Sequence, residues 1–363
     1  MPSYSRFHKS LIAWFEANRQ PLPWREDRTP YRVWISEIML QQTQIATVIP
    51  YFERFMARFP DVHALAAASL DNVLKLWEGL GYYSRARNLH RSAKKIVEEF
   101  GGKFPSTAEG WMELPGIGRY TAGAVASLVF DEDAPVLDGN VIRVLARWEN
   151  LDEDITLTST KQKLWALAEE MLPRGRAGLW NEAIMELGQT ICLPKNPTCN
   201  ACPVAKLCAA RAANRQNNLP VRARRKPLPH KEVAAGIIFR DDNQILITKR
   251  YAEALLGGLW EFPGGKREPG ETLSECLTRE IREELAIEVE VKYQLAVVHH
   301  AYTHFKITLF AFVCRYVSGD PQAIGCAEWR WTPLDQLDRY AFPKADHSII
   351  KALKNGSQTS FVW

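Results

Sequence analysis

The stretch that decides the fold reads Leu114-Pro115-Gly116-Ile117-Gly118-Arg119-Tyr120, and a run of small and apolar residues follows it to Phe130. Two glycines two residues apart, placed before a helix, predict a tight turn with exposed backbone N–H groups. Such a turn at a helix N-terminus is an anion site, which can hold one DNA phosphate without reading any base. The segment closes on Asp138-Gly139-Asn140. We therefore expect the chain to hold DNA at this hairpin and to do its chemistry beside it.

Length and charge limit the class of protein. A chain of 363 residues is expected to form two or three domains, and 46% hydrophobic residues allow a sizeable core. The net charge of +4 is weak evidence of polyanion binding. Between Lys195 and Lys231 there are nine Lys or Arg and no Asp or Glu. This stretch is either a solvated linker or a basic strap near phosphates, and the sequence leaves both open.

The N-terminal residues and the cysteines indicate the compartment. Residues 1–17 have no signal-type apolar core, and no apolar run has membrane-spanning length. Seven cysteines, four clustered and three scattered, do not resemble a secreted disulfide framework. We expect a soluble protein of the cytoplasm (nucleoid-associated if bacterial), with no membrane partner.

The first part is expected to be essentially all-α, because strand patterns are almost absent before the basic stretch ends. Helices are predicted over Ser10–Asn18, Tyr31–Val48, Leu70–Leu80, Arg87–Phe100, Thr121–Val129, Lys161–Met171 and Asn181–Gln189. Glu37 lies among apolar residues in the second of these helices, where burial would raise its pKa and make it a proton donor near neutral pH. A helix Glu that faces water is the commoner case. The loop Gly79–Arg85 has two tyrosines, which are either stacking faces for bases or buried turn residues.

A cysteine array ends the helical part. The cysteines at 192, 199, 202 and 208 are spaced C-x6-C-x2-C-x5-C, so four thiols fall within seventeen residues. In an intracellular chain this density indicates a metal or cluster site, and the spacing alone allows zinc or [4Fe–4S]. The scattered Cys276, Cys314 and Cys326 are expected to be ordinary core or surface thiols.

A separate α/β (α+β) domain follows the linker, which is placed at residues 209–231. Strands are predicted at Val233–Phe239, Gln244–Lys249, Val289–Val298, Ile307–Arg315 and Glu328–Trp331, with helices at Leu273–Leu285 and Ala345–Leu353. In the first helix Glu280, Glu283 and Glu284 share one face. Three such carboxylates repel one another unless a hard cation such as Mg²⁺ lies between them, although an exposed acidic face is also common.

Several motifs together resemble a known family. Glu37 in SEIMLQQT, the hairpin LPGIGRY, Asp138 in LDGN and the cysteine array resemble, in order, the helix–hairpin–helix DNA glycosylases that carry an iron–sulfur cluster. The resemblance favours [4Fe–4S] over zinc. It implies a glycosylase region over 1–208, with a six-helix barrel module at about 25–133 and an iron–sulfur module from 1–24 and 134–208. A Nudix (MutT-like) domain is expected over 232–363.

Two branches of that superfamily compete. The endonuclease III branch has a lysine nucleophile just after the hairpin, where this chain has Tyr120, and it lacks Glu37 and the second domain. The sequence therefore resembles the MutY-type adenine DNA glycosylases, which remove adenine mispaired with 8-oxoguanine or guanine in duplex DNA. Without an amine nucleophile no Schiff base forms, so we expect base removal without efficient strand cleavage, carried out by a monomer.

The resemblance implies roles for residues. Glu37 would protonate adenine N7 and later activate water, and Asp138 would stabilise or bond the oxocarbenium-like sugar. Tyr120 and Asn140 would hold these carboxylates. The flipped-out adenine and its opposite base imply DNA contacts, expected at Arg25, Gln42, Leu80, Tyr82, Gly116, Gly118 and Arg143. The resemblance also places 8-oxoguanine recognition at Tyr302, Thr303 and His304.

The Nudix box departs from many members of the family because it is nearly complete. Gly265, Glu271 and Arg279 stand at their places with the three glutamates, and Ala286 replaces the usual glycine. Three alternatives to a pure glycosylase follow: additional Mg²⁺-dependent hydrolysis of 8-oxo-dGTP, a lesion-binding sensor without catalysis, or a pure Nudix hydrolase with a structural partner domain. Asp346 stands where MutT hydrolases have a base-reading Asn.

Overall fold

The computed structural model describes residues 4–223 and 227–356. Arg224, Arg225 and Lys226 of the basic stretch lie outside these described residues. The chain divides into two compact units. The N-terminal unit comprises residues 1–67 and 88–225, and the C-terminal unit comprises 68–87 and 226–363. None of the helices that the structure describes is both long and apolar enough to cross a membrane.

The chain before the second domain is helical, as predicted. The helices are α1 (Ser5–Asn18), α2 (Pro23–Glu26), α3 (Pro30–Leu40), α4 (Ile45–Arg58), α5 (Val62–Ala67), α6 (Leu70–Trp77), α7 (Ser84–Phe100), α8 (Ala108–Met112), α9 (Arg119–Phe130), α10 (Gly139–Trp148), α11 (Thr158–Glu170), α12 (Ala177–Thr190) and α13 (Ala209–Ala212). Short 3₁₀ helices at Cys199–Ala201 and Ala205–Leu207 lie between α12 and α13.

One predicted helix was wrong. The expected single helix Tyr31–Val48 is two helices, because α3 ends at Leu40 and α4 begins only at Ile45. Gln42 in the turn between them has a left-handed φ of 59°, which interrupts the helical backbone. Apolar residues continue at helical spacing across the turn, so their pattern alone could not show the break.

One hydrophobic core cluster of the N-terminal unit lies between α1, α9, α10, α11 and α12. Phe7, Leu11, Leu145, Trp180 and Ile184 are all buried in it. Gly178 brings α12 close to α9, since a Cβ there would lie 2.4 Å from the Ser127 carbonyl oxygen. The close approach holds α9 and α12, which carry two walls of the site described below, against each other.

The described residues of the C-terminal unit form a seven-stranded mixed sheet. Its strands are β1 (His230–Phe239), β2 (Gln244–Lys249), β3 (Trp260–Glu261), β4 (Gly264–Lys266), β5 (Glu288–Ala301), β6 (Lys306–Ser318) and β7 (Glu328–Pro333). The main order is β3-β2-β1-β6-β5, with β4 paired to β1 and β7 paired to β2. Strands β1 and β6 are parallel, and the other pairs are antiparallel.

A helix covers each face of this sheet, because side chains alternate along a strand. Ile237 of β1 packs towards α15 (Lys344–Gly356), whereas Ile238 packs towards α14 (Leu273–Leu285). Helix α14 and strand β2 have the predicted bounds. Strand β1 begins at His230 and α13 lies at 209–212, so both ends of the stretch placed as linker are ordered. The three scattered cysteines are buried core thiols.

Residues 68–87 pack with the C-terminal unit, although the sequence places them in the glycosylase region. The Lys75 ammonium donates to the Tyr340 carbonyl oxygen at 2.9 Å. The Glu78 carboxylate accepts from the Phe342 N–H at 2.8 Å. These bonds join the C-terminal end of α6 to the segment before α15. Local sequence patterns cannot predict a pairing between residues so far apart in the chain.

Candidate active site

Glu37 is buried near the C-terminal end of α3, with 6% of its surface exposed. The Tyr120 hydroxyl, from the first turn of α9, donates to Glu37 Oε2 at 2.8 Å. The same hydroxyl lies 3.4 Å from the Met185 sulfur of α12. Two helices that are far apart in sequence therefore place a phenol on a buried carboxyl group.

Burial raises the pKa of Glu37 to about 7. The hydrogen bond from Tyr120 opposes this rise, because it stabilises the carboxylate. The negative charges of Asp138 and Glu182 raise the pKa further, and Arg25 lowers it. A carboxyl group with this pKa exchanges a proton near neutral pH, as a general acid requires.

Asp138 is the N-cap of α10, and its carboxylate is held by three hydrogen bonds. Oδ1 accepts from the backbone N–H groups of Asn140 at 2.9 Å and Val141 at 2.7 Å. Oδ2 accepts from the Asn140 side-chain amide at 2.9 Å. Burial raises the pKa of Asp138, and these three bonds oppose that rise. Asp138 thus has three bonds that favour its ionised form, whereas Glu37 has one.

Glu37, Tyr120, Asp138 and Asn140 line one cavity of about 630 Å³ in the N-terminal unit. The cavity also holds residues that the sequence analysis missed: Arg28, Glu182 and Glu186. Arg25 bonds Glu182 at 3.0 Å and Glu186 at 2.7 Å, and Arg28 bonds Glu182 at 2.8 Å. Glu182 and Glu186 lie among the apolar residues of α12, and carboxylates buried in this way need cationic partners. This pattern is the sequence signal that could have identified them.

Asn140 links Asp138 to the cysteine array. Its side-chain oxygen accepts from Arg143 Nη2 at 2.8 Å, and Arg143 Nε donates to the Cys192 carbonyl oxygen at 2.6 Å. Arg143 Nη2 also donates to the Gly188 carbonyl oxygen at 2.6 Å. Arg143 is therefore buried and committed to internal acceptors, which corrects the expectation that it contacts DNA.

The four cysteines line one small cavity with Arg147. The Arg147 guanidinium, 2% exposed, donates to the Cys192 sulfur at 3.2 Å and to three carbonyl oxygens in the same region. Burial raises the pKa of Cys202 to about 11, and the three other cysteines contribute to the rise. The thiols are thus mutual neighbours, but within the described chain no three His, Cys, Asp or Glu side chains are arranged to hold one metal ion.

The hairpin joins α8 to α9. Gly116 requires glycine, because its φ is 76° and a Cβ would lie 2.4 Å from the Asn88 side-chain nitrogen. Gly118 is the N-cap of α9 and has open space around its missing Cβ. The first N–H groups of a helix have no intrahelical partners. The turn and α9 therefore present donors to an anion, and Gly118 lets it approach closely.

The remaining expected DNA contacts differ in exposure. Tyr82, 40% exposed, has a φ of 50°, so this aromatic side chain projects from a strained turn. Gln42 is exposed in the turn after α3. Leu80 is only 5% exposed, which corrects the expectation that its side chain is available to DNA.

In the C-terminal unit the Thr303 hydroxyl donates to the Tyr82 hydroxyl at 3.2 Å. Both residues line a second cavity, of about 450 Å³, together with Tyr302 and His304. The three residues expected to recognise 8-oxoguanine therefore share one cavity with an exposed aromatic ring. A cavity with aromatic walls and a hydroxyl group is suited to a flat heterocycle with polar edges.

Arg279 neutralises the acidic face of α14. Its guanidinium contacts Glu271 at 2.9 Å, Glu280 at 3.1 Å and Glu283 at 3.2 Å. The carboxylates of Glu280 and Glu283 therefore share a cation from their own helix, where the sequence analysis expected Mg²⁺. Burial and the charges of Glu261 and Glu280 raise the pKa of Glu284 to about 8. Ala286, in place of the usual glycine, ends α14 with a φ of 56°.

Comparisons with known proteins agree with this organisation. Residues 35–170 match the HhH-GPD superfamily of base excision DNA repair proteins, and residues 234–352 match the NUDIX domain. The chain is 39% identical to the adenine DNA glycosylase of Homo sapiens over 95% of this chain and 73% of that protein. It is 38% identical to that of Buchnera aphidicola subsp. Schizaphis graminum over 83% and 85%.

Among solved structures, a thermostable thymine-DNA glycosylase is similar to 58% of this chain and 96% of its own, with a TM-score of 0.52 and 28% identity. An endonuclease III in a DNA complex matches 59% of this chain and 99% of its own, with a TM-score of 0.50. At 21% identity the second similarity supports the fold of the helical region alone.

The raised pKa of Glu37 predicts how stability depends on pH. The folded pKa of about 7 exceeds the ordinary 4.5, so ionisation of Glu37 costs the folded state about 3 kcal/mol. The cost is absent below pH 4.5 and complete above pH 7. Glu37→Gln should therefore gain up to about 3 kcal/mol relative to wild type between pH 4 and pH 8.

Urea unfolding at both pH values measures this difference. Glu53→Gln is the matched control, because Glu53 is exposed and should show no such gain. A Glu37→Gln gain no larger than that of Glu53→Gln would mean that Glu37 is not held protonated in the folded state.

Proposed function

The chain belongs to the adenine DNA glycosylases, and from that membership we propose that it removes adenine paired with 8-oxoguanine or guanine in duplex DNA, acting as a monomer. The enzyme is a DNA glycosylase, and DNA is its partner. The observation that supports the catalytic part of the proposal is one cavity in which a buried Glu37, with a pKa of about 7, accepts a hydrogen bond from Tyr120 and faces the charge of Asp138.

Glu37 is the general acid in this proposal. Adenine is a poor leaving group as an anion, so a proton placed on N7 lowers the barrier to its departure. The pKa of about 7 leaves Glu37 partly protonated under neutral conditions. Tyr120 fixes which carboxylate oxygen is free, because its hydroxyl occupies Oε2. After the base has left, the ionised Glu37 can take a proton from attacking water.

Asp138 stabilises the sugar cation. Departure of the protonated base leaves oxocarbenium-like charge on the deoxyribose, which an ionised carboxylate stabilises or bonds transiently. The bonds from Asn140 and Val141 preorganise that carboxylate, so it need not reorient during the reaction. Tyr120 cannot form a Schiff base, and base removal is therefore not coupled to strand cleavage.

The pocket carboxylates Glu182 and Glu186 supply acceptors. Adenine has an exocyclic amino group, and a carboxylate can accept its hydrogen bond. Arg25 and Arg28, which line the same cavity, hold these carboxylates in place. These carboxylates can therefore accept hydrogen bonds from a base whose edge carries a donor. A nucleotide flipped out of the duplex would place that edge in the cavity.

Recognition of the opposite base is proposed for the second cavity, at Tyr302, Thr303 and His304. 8-Oxoguanine differs from guanine by a carbonyl at C8 and a proton on N7. A hydroxyl group can donate to the first or accept from the second. The Tyr82 ring next to Thr303 offers a stacking face in the same cavity.

The cysteines at 192, 199, 202 and 208 are proposed to hold a [4Fe–4S] cluster. Four thiols line one cavity, and together they would supply the thiolates that such a cluster requires. When bound, the cluster ties the loop after α12 together. Arg147 and Arg143 bond the backbone of that loop, so its order supports Asn140 and Asp138.

A second candidate function is hydrolysis of 8-oxo-dGTP by the C-terminal unit. One observation favours it: the Glu280 carboxylate lies directly on Gly265, where a Cβ would come within 2.3 Å of Oε1, as expected for an assembled Nudix box. Hydrolysis would require Mg²⁺ to displace Arg279 from Glu280 and Glu283.

Single-turnover adenine release tests the main proposal. Duplexes carry adenine opposite 8-oxoguanine, guanine or thymine, and wild type should release adenine fastest from the first and not from the last. Asp138→Asn should lose about 10²- to 10³-fold, because it removes the charge that stabilises the oxocarbenium. Asp131→Asn, at an exposed aspartate, should retain the rate. Tight binding without adenine release by wild type would instead indicate a lesion sensor.

Iron content tests the cluster. Purified protein should contain about four iron atoms per chain and absorb in the yellow-brown range. Cys199→Ala should lose the iron, whereas Cys314→Ala, at a buried thiol of the sheet, should retain it. Stoichiometric zinc without iron would contradict the proposal.

Turnover of 8-oxo-dGTP with Mg²⁺ by the full chain tests the second candidate. Release of pyrophosphate that is lost in Glu283→Gln would support hydrolysis. Release no greater than that of Glu283→Gln would reject it, and adenine release by the same variant should be unchanged.

A further inference from the structure

The second cavity is lined by basic side chains that recognition of an uncharged base does not require. Besides Tyr82, Tyr302 and Thr303, its lining includes four basic side chains, those of Arg87, His300, His304 and Lys344. No Asp or Glu is among the described residues that line it. A purine base carries no charge, so the bases alone do not account for this one-sided charge.

The four basic groups are not equivalent. Arg87 is engaged, because its Nη1 donates to the Gly257 carbonyl oxygen at 2.8 Å. Burial and the charge of Lys344 lower the pKa of His300, which disfavours its charged form. His304 is exposed at the rim and belongs to the segment proposed to recognise the base. Among the described residues that line the cavity, Lys344 is the cationic side chain left without an internal partner.

The Lys344 side chain has no partner among the described residues. It is exposed, and within the described ranges it makes no hydrogen bond and no ion pair. Asp346, two residues later, does not compensate it. That carboxyl group is buried and accepts from the Phe262 N–H. Lys344 is also the first residue of α15, where the helix dipole disfavours a cation. An anion next to the Lys344 ammonium would give it a partner and would offset its unfavourable interaction with the helix dipole.

We propose that the Lys344 ammonium binds a backbone phosphate of the DNA strand whose base enters this cavity. The inference rests on the proposed recognition of the opposite base at Thr303, and it assigns a separate task to Lys344. A phosphate contact carries no sequence information, but it fixes the register of the strand. Thr303 would then distinguish the base, and Lys344 would hold the nucleotide at the depth at which Thr303 can reach it.

The salt dependence of binding separates these two tasks. Full-length protein is titrated into duplexes with 2′-fluoro-2′-deoxyadenosine opposite 8-oxoguanine or guanine. The fluorine disfavours positive charge on the sugar and keeps the base attached. Lys344→Gln should raise Kd about threefold to tenfold for both duplexes. The slope of log Kd against log salt concentration should fall by about 0.9, which corresponds to one lost phosphate contact.

Two further variants complete the test. Lys351→Gln removes the same charge from an exposed position of α15 that does not line the cavity, and its slope should remain that of wild type. Thr303→Val should reduce the preference for 8-oxoguanine over guanine without changing the slope.

An unchanged slope in Lys344→Gln, or an equal change in Lys351→Gln, would overturn the phosphate contact. A wild-type protein that binds both duplexes equally would instead contradict the proposed recognition of 8-oxoguanine. The slope comparison would still report on Lys344.

Discussion

The hydrogen bond from Tyr120 to Glu37 is the constraint on which the rest of the helical unit depends. Ionising a buried carboxyl group costs free energy, so burial raises its pKa. The pKa of Glu37 is raised to about 7, at which the group is half-protonated near neutral pH. The Tyr120 bond limits that rise. Without burial Glu37 would not be protonated at neutral pH, and without Tyr120 it would not readily give up its proton. Both conditions require α3, α9 and α12 to be packed closely, which Gly178 allows by bringing α12 against α9.

At Asp138, too, one set of hydrogen bonds has both a structural and a chemical role. Its carboxylate caps α10, and the residues that satisfy the cap, Asn140 and Val141, also favour its ionised form and fix its orientation. Arg143 extends this arrangement from Asn140 to the Cys192 carbonyl oxygen. The order of the cysteine loop and the geometry of the cavity are therefore coupled through a continuous set of hydrogen bonds. A change at the cysteines would be expected to act on Asp138 without touching DNA.

The sequence predicted the fold class, most of the helices and strands, and the family, because those depend on local periodicity and on motifs of fixed spacing. It did not predict the turn at Gln42, where a left-handed residue breaks a pattern that looks continuous. It also assigned Arg143 to DNA, because an Arg near Asp138 can serve DNA or the protein interior, and only its burial distinguishes the two. The sequence also did not predict that Glu182 lines the cavity or that Arg279 binds carboxylates of the Nudix box. Nor did it predict that residues 68–87 pack with the C-terminal unit. Each of these depends on contacts between residues far apart in the chain.

We propose that Tyr120 tunes the acidity of Glu37, and the pH dependence of kcat/KM for adenine release tests this role most directly. In wild type the rate should fall as pH rises through about 7, because Glu37 loses the proton that it must donate. Tyr120→Phe removes the bond that stabilises the carboxylate, so its alkaline limb should move to higher pH. An alkaline limb at the wild-type pH, or one moved to lower pH, would contradict the account.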